Sequence, residues 1–171
     1  MHKTILFVLL FHVSQGFCQG VFPQWVTDSL KSRGLDQKYV VSPFLQPVFL
    51  QADFTGDGSS DIVVLIIEKT TGKKGVLLIH DTFKQYYVFG AGNMFGDGSD
   101  DFKWANKWSV FHGKHAYATQ FDKKSGDMVK GKEIILQRAA VSIMATEDGA
   151  DVAGGLIYWD GKKYIWIHQG E

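Results

Sequence analysis

The run Ile62-Val-Val-Leu-Ile-Ile67 is apolar throughout, with no polar residue alternating into it. A strand with one wet face alternates, so an unbroken β-branched run predicts a strand covered on both faces. Such a strand belongs at the centre of a layered core. Its neighbours follow in the chain. Residues 48–52 read as a strand before it, and Lys69-Thr-Thr-Gly-Lys-Lys-Gly75 turns the chain so that Val76-Leu-Leu-Ile79 returns as a hairpin partner. Tyr86-Tyr-Val-Phe89 then reads as a further strand.

Between the strands 48–52 and 62–67 lies Asp53-Phe-Thr-Gly-Asp-Gly-Ser-Ser-Asp61. Side-chain oxygens fall at its first, third, fifth and ninth places, on Asp53, Thr55, Asp57 and Asp61. Gly58 is sixth, and Ser59 at the seventh place offers a backbone carbonyl. Calcium takes six to eight hard oxygens, and a coiled loop supplies them from alternate residues with glycine at the sharp bend. The spacing therefore predicts a Ca²⁺ site on Asp53, Thr55, Asp57, Ser59 and Asp61. An EF-hand is excluded, because its twelfth place needs a glutamate and here holds Val64, and because a strand follows in place of a helix. A metal-free β-turn at Gly56-Asp57-Gly58 is the plain alternative, since Asp-Gly is a turn signal by itself. Three aspartates within nine residues repel one another unless neutralised, and this favours the ion.

The segment 49–65, from Phe49 through Asp53, Asp57, Gly58 and Asp61 to Leu65, resembles the FG-GAP/VCBS repeat. That family's loop, D-x-[DN]-x-D-G-x-x-D, binds calcium between two strands. Thr55 departs from the pattern, standing where the family has Asn or Asp. The resemblance implies a structural Ca²⁺ and a role in adhesion or ligand binding.

A second acidic stretch, Phe95-Gly-Asp-Gly-Ser-Asp-Asp101, echoes the first, with Asp97 over Asp57 and Asp101 over Asp61. Asn93 takes the first ligand place, but Phe95 cannot serve at the third. The echo reads as a decayed repeat, a second and weaker site at Asn93, Asp97 and Asp101, or chance. Two partial matches do not make a repeat array, so a closed propeller is not expected. A third acidic turn, 146–151, lacks the alternate-oxygen spacing.

Elsewhere, Trp25, Val26 and Leu30 at helical spacing after Pro23 predict a short amphipathic helix over 23–33, stopped by Gly34 and laid on a sheet. Residues 35–48 form a connector with a short strand at 39–41. Strands at 108–111 and 116–121 are joined around His112-Gly-Lys-His115. Residues 133–137 and 140–144 read as two strands or as one broken near Arg138. The end, 155–168, is a hairpin turned by Asp160-Gly161, with Tyr164, Trp166 and His168 on one face and Ile165 and Ile167 on the other. The expected fold is α+β, mainly antiparallel β-sheet with one short N-terminal helix.

The start of the 171-residue chain, with Lys3 and the apolar stretch 5–11, has the form of a bacterial secretory signal peptide over residues 1–20. A single β-rich domain is then expected over 21–171. Phe17 is a poor lipobox residue before Cys18, so lipid anchoring is not expected. Localisation is read as periplasmic or secreted. Basic and acidic residues balance at 18 each, and the basic ones are scattered, which gives no footprint for nucleic acid. No other stretch is long enough for a transmembrane helix. Cys18 is the one cysteine, so no disulfide framework is available. The histidines beyond the leader are His80, His112, His115 and His168. His112 and His115 lack an evident third metal ligand and read as turn residues. No nucleophile elbow or phosphate loop appears, and no catalytic residue is assigned.

Aromatic residues make up 14 % of the chain. Trp104, Trp108, Trp159, Trp166, Tyr86 and Tyr87 serve either as core or as a face for sugar or protein. The sequence thus points to an exported, calcium-stabilised binding or structural protein whose partner is an unknown protein or carbohydrate. Two alternatives stay open: a small periplasmic inhibitor or immunity protein acting on a hydrolase or toxin, and a hydrolase.

Overall fold

The computed structural model describes residues 24–80, 85–122, 124–126 and 128–170. The leader segment 1–20 and Cys18 lie outside the described residues. Two helices come first, α1 (Gln24–Ser32) and the short α2 (Leu35–Lys38). The strands β1 (Tyr39–Val41), β2 (Phe49–Ala52), β3 (Asp61–Glu68), β4 (Lys74–Ile79) and β5 (Tyr86–Gly90) form the first sheet. After them come β6 (Lys107–Phe111), β7 (His115–Phe121), β8 (Met128–Ile135), β9 (Ala140–Glu147), β10 (Ala150–Trp159) and β11 (Tyr164–Gly170).

All strand pairs are antiparallel. In the first sheet β5, β4 and β3 lie side by side, and β1 and β2 share the far edge of β3. β1 pairs with its end at 66–68 and β2 with its start at 61–64. The second sheet runs β11-β10-β9-β6, and β7 with β8 makes a separate two-stranded ribbon. All three sheets are open, and no closed barrel or propeller forms among the described residues. No described helix is long and apolar enough to cross a membrane.

The lack of alternation in β3 has a direct cause. Ile62, Val64 and Ile66 face α1, where Val26 and Leu30, one helical turn apart, cover them together with Leu77 and Ile79. Val63 and Leu65 face the second sheet and meet Val141, Ile143 and Ile157. The outer face of that sheet, through Leu156, Tyr158 and Ile167, is covered in turn by Ala116, Ala118 and Ile134 of the ribbon. Helix, sheet, sheet and ribbon therefore stack as four layers. Each fully buried Val, Leu or Ile adds roughly 1.5–3 kcal/mol through removal of apolar surface from water, so the middle two layers supply most of the stabilisation. The helix ends where the sequence predicts: Gly34 takes a left-handed φ of 67° and its N–H donates to the Lys31 carbonyl at 3.0 Å.

Two connections carry the chain from one layer to another. The strands on either side of His112-Gly-Lys-His115 do not pair with each other: β6 pairs with β9, while β7 pairs with β8. The chain changes layer there, because β6 carries Trp108 into the central core and β7 offers Ala116 to the outer one. Of the two readings left open for 133–137 and 140–144, two strands is the one observed: 133–135 end β8, 140–144 lie in β9 in another sheet, and the break at Arg138 is a second change of layer.

The β3–β4 turn is held by Glu68, whose Oε2 accepts from the Thr71 hydroxyl and the Thr71 N–H, each at 2.6 Å. These donors hold its carboxyl at about 2, well below its ordinary 4.5. A depressed carboxyl adds stability that is fully present above its unfolded value and is lost as pH falls through its folded value. Urea unfolding between pH 4.5 and 2 is therefore expected to show stability falling less steeply in Glu68→Gln than in the parent. Parallel curves would show that the turn does not titrate with folding.

Candidate functional site

The loop 53–61 joins β2 to β3, strands that pair from Phe49 opposite Val64 to Ala52 opposite Asp61. Its two bends require glycine: Gly56 and Gly58 have φ of 79° and 88°. The resulting coil turns backbone N–H groups onto Asp53. Asp53 Oδ1 accepts from Gly56 N at 2.6 Å, from Asp57 N at 3.2 Å and from the Thr55 hydroxyl at 3.3 Å, and its Oδ2 accepts from Gly58 N at 2.9 Å. Asp57 Oδ1 accepts from Ser59 N at 2.8 Å. At the far end, Asp61 Oδ2 accepts from Phe54 N at 3.0 Å. The loop is therefore closed on itself by carboxylates at its first, fifth and ninth places. Burial pushes the Asp53 carboxyl up, but the N–H groups of Gly58, Gly56 and Asp57 and the Thr55 hydroxyl outweigh it. The net shift is downward.

Behind the loop the chemistry changes. Phe54 and Asp61 are each 1 % exposed, so this acidic turn is anchored in the core. Arg138 lies across the bend, its Nε 3.2 Å from where a Cβ on Gly56 would stand. That Nε is buried with no hydrogen-bond partner among the described residues. Tyr164 lies within the field of Asp61, Asp53 and Arg138. Burial first, then the negative charge of Asp61, pushes its phenol far above the ordinary range. Its hydroxyl meets His80 Nε2 at 3.0 Å in a buried contact, and Tyr87 and Trp159 pack around the pair with ring centroids 4.8 and 4.9 Å from Tyr164. One guanidinium thus faces a loop that carries three carboxylates.

The donor set, carboxylate and hydroxyl oxygens with no nitrogen or sulfur, suits a hard cation of the calcium class. Ligands at 2.3–2.6 Å from such an ion lie roughly 3 Å apart, and Thr55 Oγ1 stands 3.3 Å from Asp53 Oδ1. Among the described residues no three His, Cys, Asp or Glu side chains already form a metal-ready group. Both carboxylate oxygens of Asp53, and one oxygen each of Asp57 and Asp61, accept from backbone N–H groups instead.

The second acidic stretch does different work. The Asn93 side-chain amide donates to the Tyr39 hydroxyl and the Gly90 carbonyl, each at 3.2 Å. Asp101 Oδ1 accepts from Lys74 N and Lys103 N, each at 3.0 Å, and Asp100 pairs with Lys73. Asp97 is exposed on the 3-10 turn Gly96–Gly98 and lines a groove with Phe121. Asn93, Asp97 and Asp101 are directed at separate partners, and the stretch ties the end of β5 to the start of β4. In the third acidic turn Asn106 caps Thr146 through two bonds of 2.8 and 3.0 Å, and Lys107 pairs with Asp151 at 2.7 Å. His115 pairs with Glu133 at 2.8 Å on the exposed ribbon.

The aromatic residues divide. Trp108, 2 % exposed, donates its indole N–H to the Pro47 carbonyl at 2.9 Å and belongs to the core. Tyr86 stands at the surface under Arg33. Trp104 and Trp166 line a cavity. Sequence reasoning did not single out Arg138, or pair His80 with Tyr164. Arg138 carries no local pattern, and the His80–Tyr164 contact spans two sheets. No family model, curated protein or solved structure matches this chain.

Proposed function

We propose that the chain is an exported binding protein whose 53–61 loop takes up Ca²⁺ as a structural ion, with Asp53, Asp57 and Asp61 supplying carboxylate oxygens, Thr55 its hydroxyl and Ser59 its carbonyl. One observation carries the reading. The coil at Gly56 and Gly58 that the calcium spacing demands is present, with the donors of Asp53 and Thr55 side by side. A divalent cation offsets the mutual repulsion of the carboxylates, which Arg138 alone does not balance. The ion does no chemistry in this account. It fixes the turn that enters the central strand β3, and with it one edge of the two-sheet core. The resemblance of residues 49–65 to the FG-GAP/VCBS loop supports the same assignment.

An ion that binds only the folded state stabilises it by about 2.7 kcal/mol at a hundredfold excess over its Kd. In a domain of this size that is about 5–10 °C in Tm. Thermal unfolding with calcium and with chelator is expected to differ by that amount, and Asp57→Ala, at an exposed position, is expected to abolish the difference while leaving the chelated protein near the parent. Coincident curves for the parent with calcium and with chelator remove the ion from the account.

The reading of a small inhibitor or immunity protein draws on a different feature. The ribbon exposes Tyr117, Ile135 and Met128 at 62, 63 and 57 %, and solvent-facing apolar side chains on a two-stranded ribbon suit a protein partner.

A further inference from the structure

We propose that the cleft between the Gly96–Gly98 turn, the end of β11 and the tip of β7 is a binding site for a neutral saccharide. The proposal deepens the binding-protein reading and is independent of the calcium loop, which lies elsewhere on the chain.

Two cavities meet at Asp97. One, of about 170 Å³, is lined by Trp104, Trp166 and His168, and the other, a groove of about 990 Å³, by Gln120 and Phe121. Together they are large enough for a small-molecule ligand. The walls are rigid. The Trp166 indole is closed in by glycines, since a Cβ on Gly98 or Gly155 would stand 3.0 or 2.5 Å from it, and one on Gly96 would stand 2.7 Å from the Trp166 Cβ and 3.3 Å from the ring. Trp104 meets it edge-on at 6.5 Å, and Phe121 meets His168 edge-on at 5.3 Å. Rings fixed in this way offer apolar area without losing rotamer freedom when a ligand arrives.

The polar atoms of the cleft define the ligand further. Trp166 Nε1 and both ring nitrogens of His168 are buried with no hydrogen-bond partner among the described residues. Buried polar atoms are nearly always paired, so three on two neighbouring side chains mark a place that another molecule completes. The indole supplies a donor, a neutral imidazole supplies one donor and one acceptor, and the exposed Asp97 carboxylate accepts at the rim. Asp97 and Asp122 outnumber Lys124 among the described lining of the groove, so an anion would meet a net like charge, and a wholly apolar ligand would leave the nitrogens unpaired. A saccharide matches both requirements: its hydroxyls donate and accept, and its C–H face lies against aromatic rings. Water alone would pair the nitrogens without using the rings, and this distinguishes the two occupants in a titration.

The test is an ¹H–¹⁵N titration of the intact chain with N,N'-diacetylchitobiose, cellotriose and maltotriose at millimolar concentrations, in calcium and again in chelator. The expected result is a saturable shift of the Trp166 indole N–H with at least one of the three sugars. His168→Ala and Asp97→Asn are each expected to weaken it at least tenfold. Asp97 is exposed, so its variant keeps the fold and the comparison stands even where His168→Ala does not fold. The absence of any saturable shift with all three sugars overturns the proposal, as does an unchanged affinity in Asp97→Asn. A failed titration beside a calcium-dependent Tm leaves the calcium reading standing, and a saturable shift beside calcium-independent unfolding leaves the cleft standing.

Discussion

Replacing Phe54 by alanine is expected to lower the stability of the domain by about 3–5 kcal/mol. The residue sits second in an acidic, glycine-rich loop, yet it is 1 % exposed and packs in the central cluster with Leu50, Val63, Leu65 and Leu78. Removal of the ring deletes its transfer free energy and leaves a cavity between two sheets whose backbones cannot close on it. At 2–4 °C per kcal/mol for a domain of this size, Tm is expected to fall by about 6–20 °C. Urea unfolding with an unchanged m-value would assign the loss to stability rather than to a change in the unfolded chain. Phe54→Leu keeps most of the apolar contact, and its cost is expected to be distinctly smaller.

The same substitution separates anchor from loop. The Phe54 N–H donates to Asp61, and the alanine variant keeps that donor, so the loop's own hydrogen bonds remain while their support is weakened. A loss below about 1 kcal/mol, against the range expected for a buried aromatic, would mean that the acidic turn is not held by the core.

What the sequence made legible follows the range of the interactions. The layered core was readable because β3 lacks alternation, and the structure supplies a cover on each face, Val26 and Leu30 on one and Ile143 and Ile157 on the other. The last hairpin was equally plain. Tyr164 and Trp166 belong to the central cluster and Ile165 and Ile167 to the outer one, which is the alternation read from the residues. The changes of layer after β6 and near Arg138 were not readable. Nothing in a short amphipathic strand states which of two parallel layers it joins, and the partner strand β8 contains Gly131 and Lys132, which weaken its own strand signal. The acidic loop shows the same limit at the scale of a site. Its bend was set by glycine spacing alone, whereas Arg138 across the bend and the Tyr164–His80 pair behind it come from residues far along the chain.

Gly155→Ala is expected to cost about 3 kcal/mol, the upper part of the usual range for overpacking. A Cβ at this position would stand 2.5 Å from two atoms of the Trp166 indole and 2.7 Å from the Ile167 carbonyl oxygen. Neither can retreat cheaply. The carbonyl belongs to β11 beside the Leu156 to Ile167 pair, and the indole is already crowded by Gly98, whose added Cβ would stand 3.0 Å from it, and stacked against Phe102 at 6.1 Å. The strain should therefore appear first in Trp166, as a change in near-ultraviolet circular dichroism and in tryptophan fluorescence. A double-mutant cycle checks the cause. Trp166→Leu removes the ring that the new methyl strikes, so Gly155→Ala should cost less in its presence, with an interaction energy of about 1 kcal/mol or more. Additive losses would place the strain on the β10–β11 ladder alone and free the indole of the clamp. A positive interaction would make Gly155 part of the device that holds the Trp166 ring at the cleft, since a Cβ there strikes the ring directly.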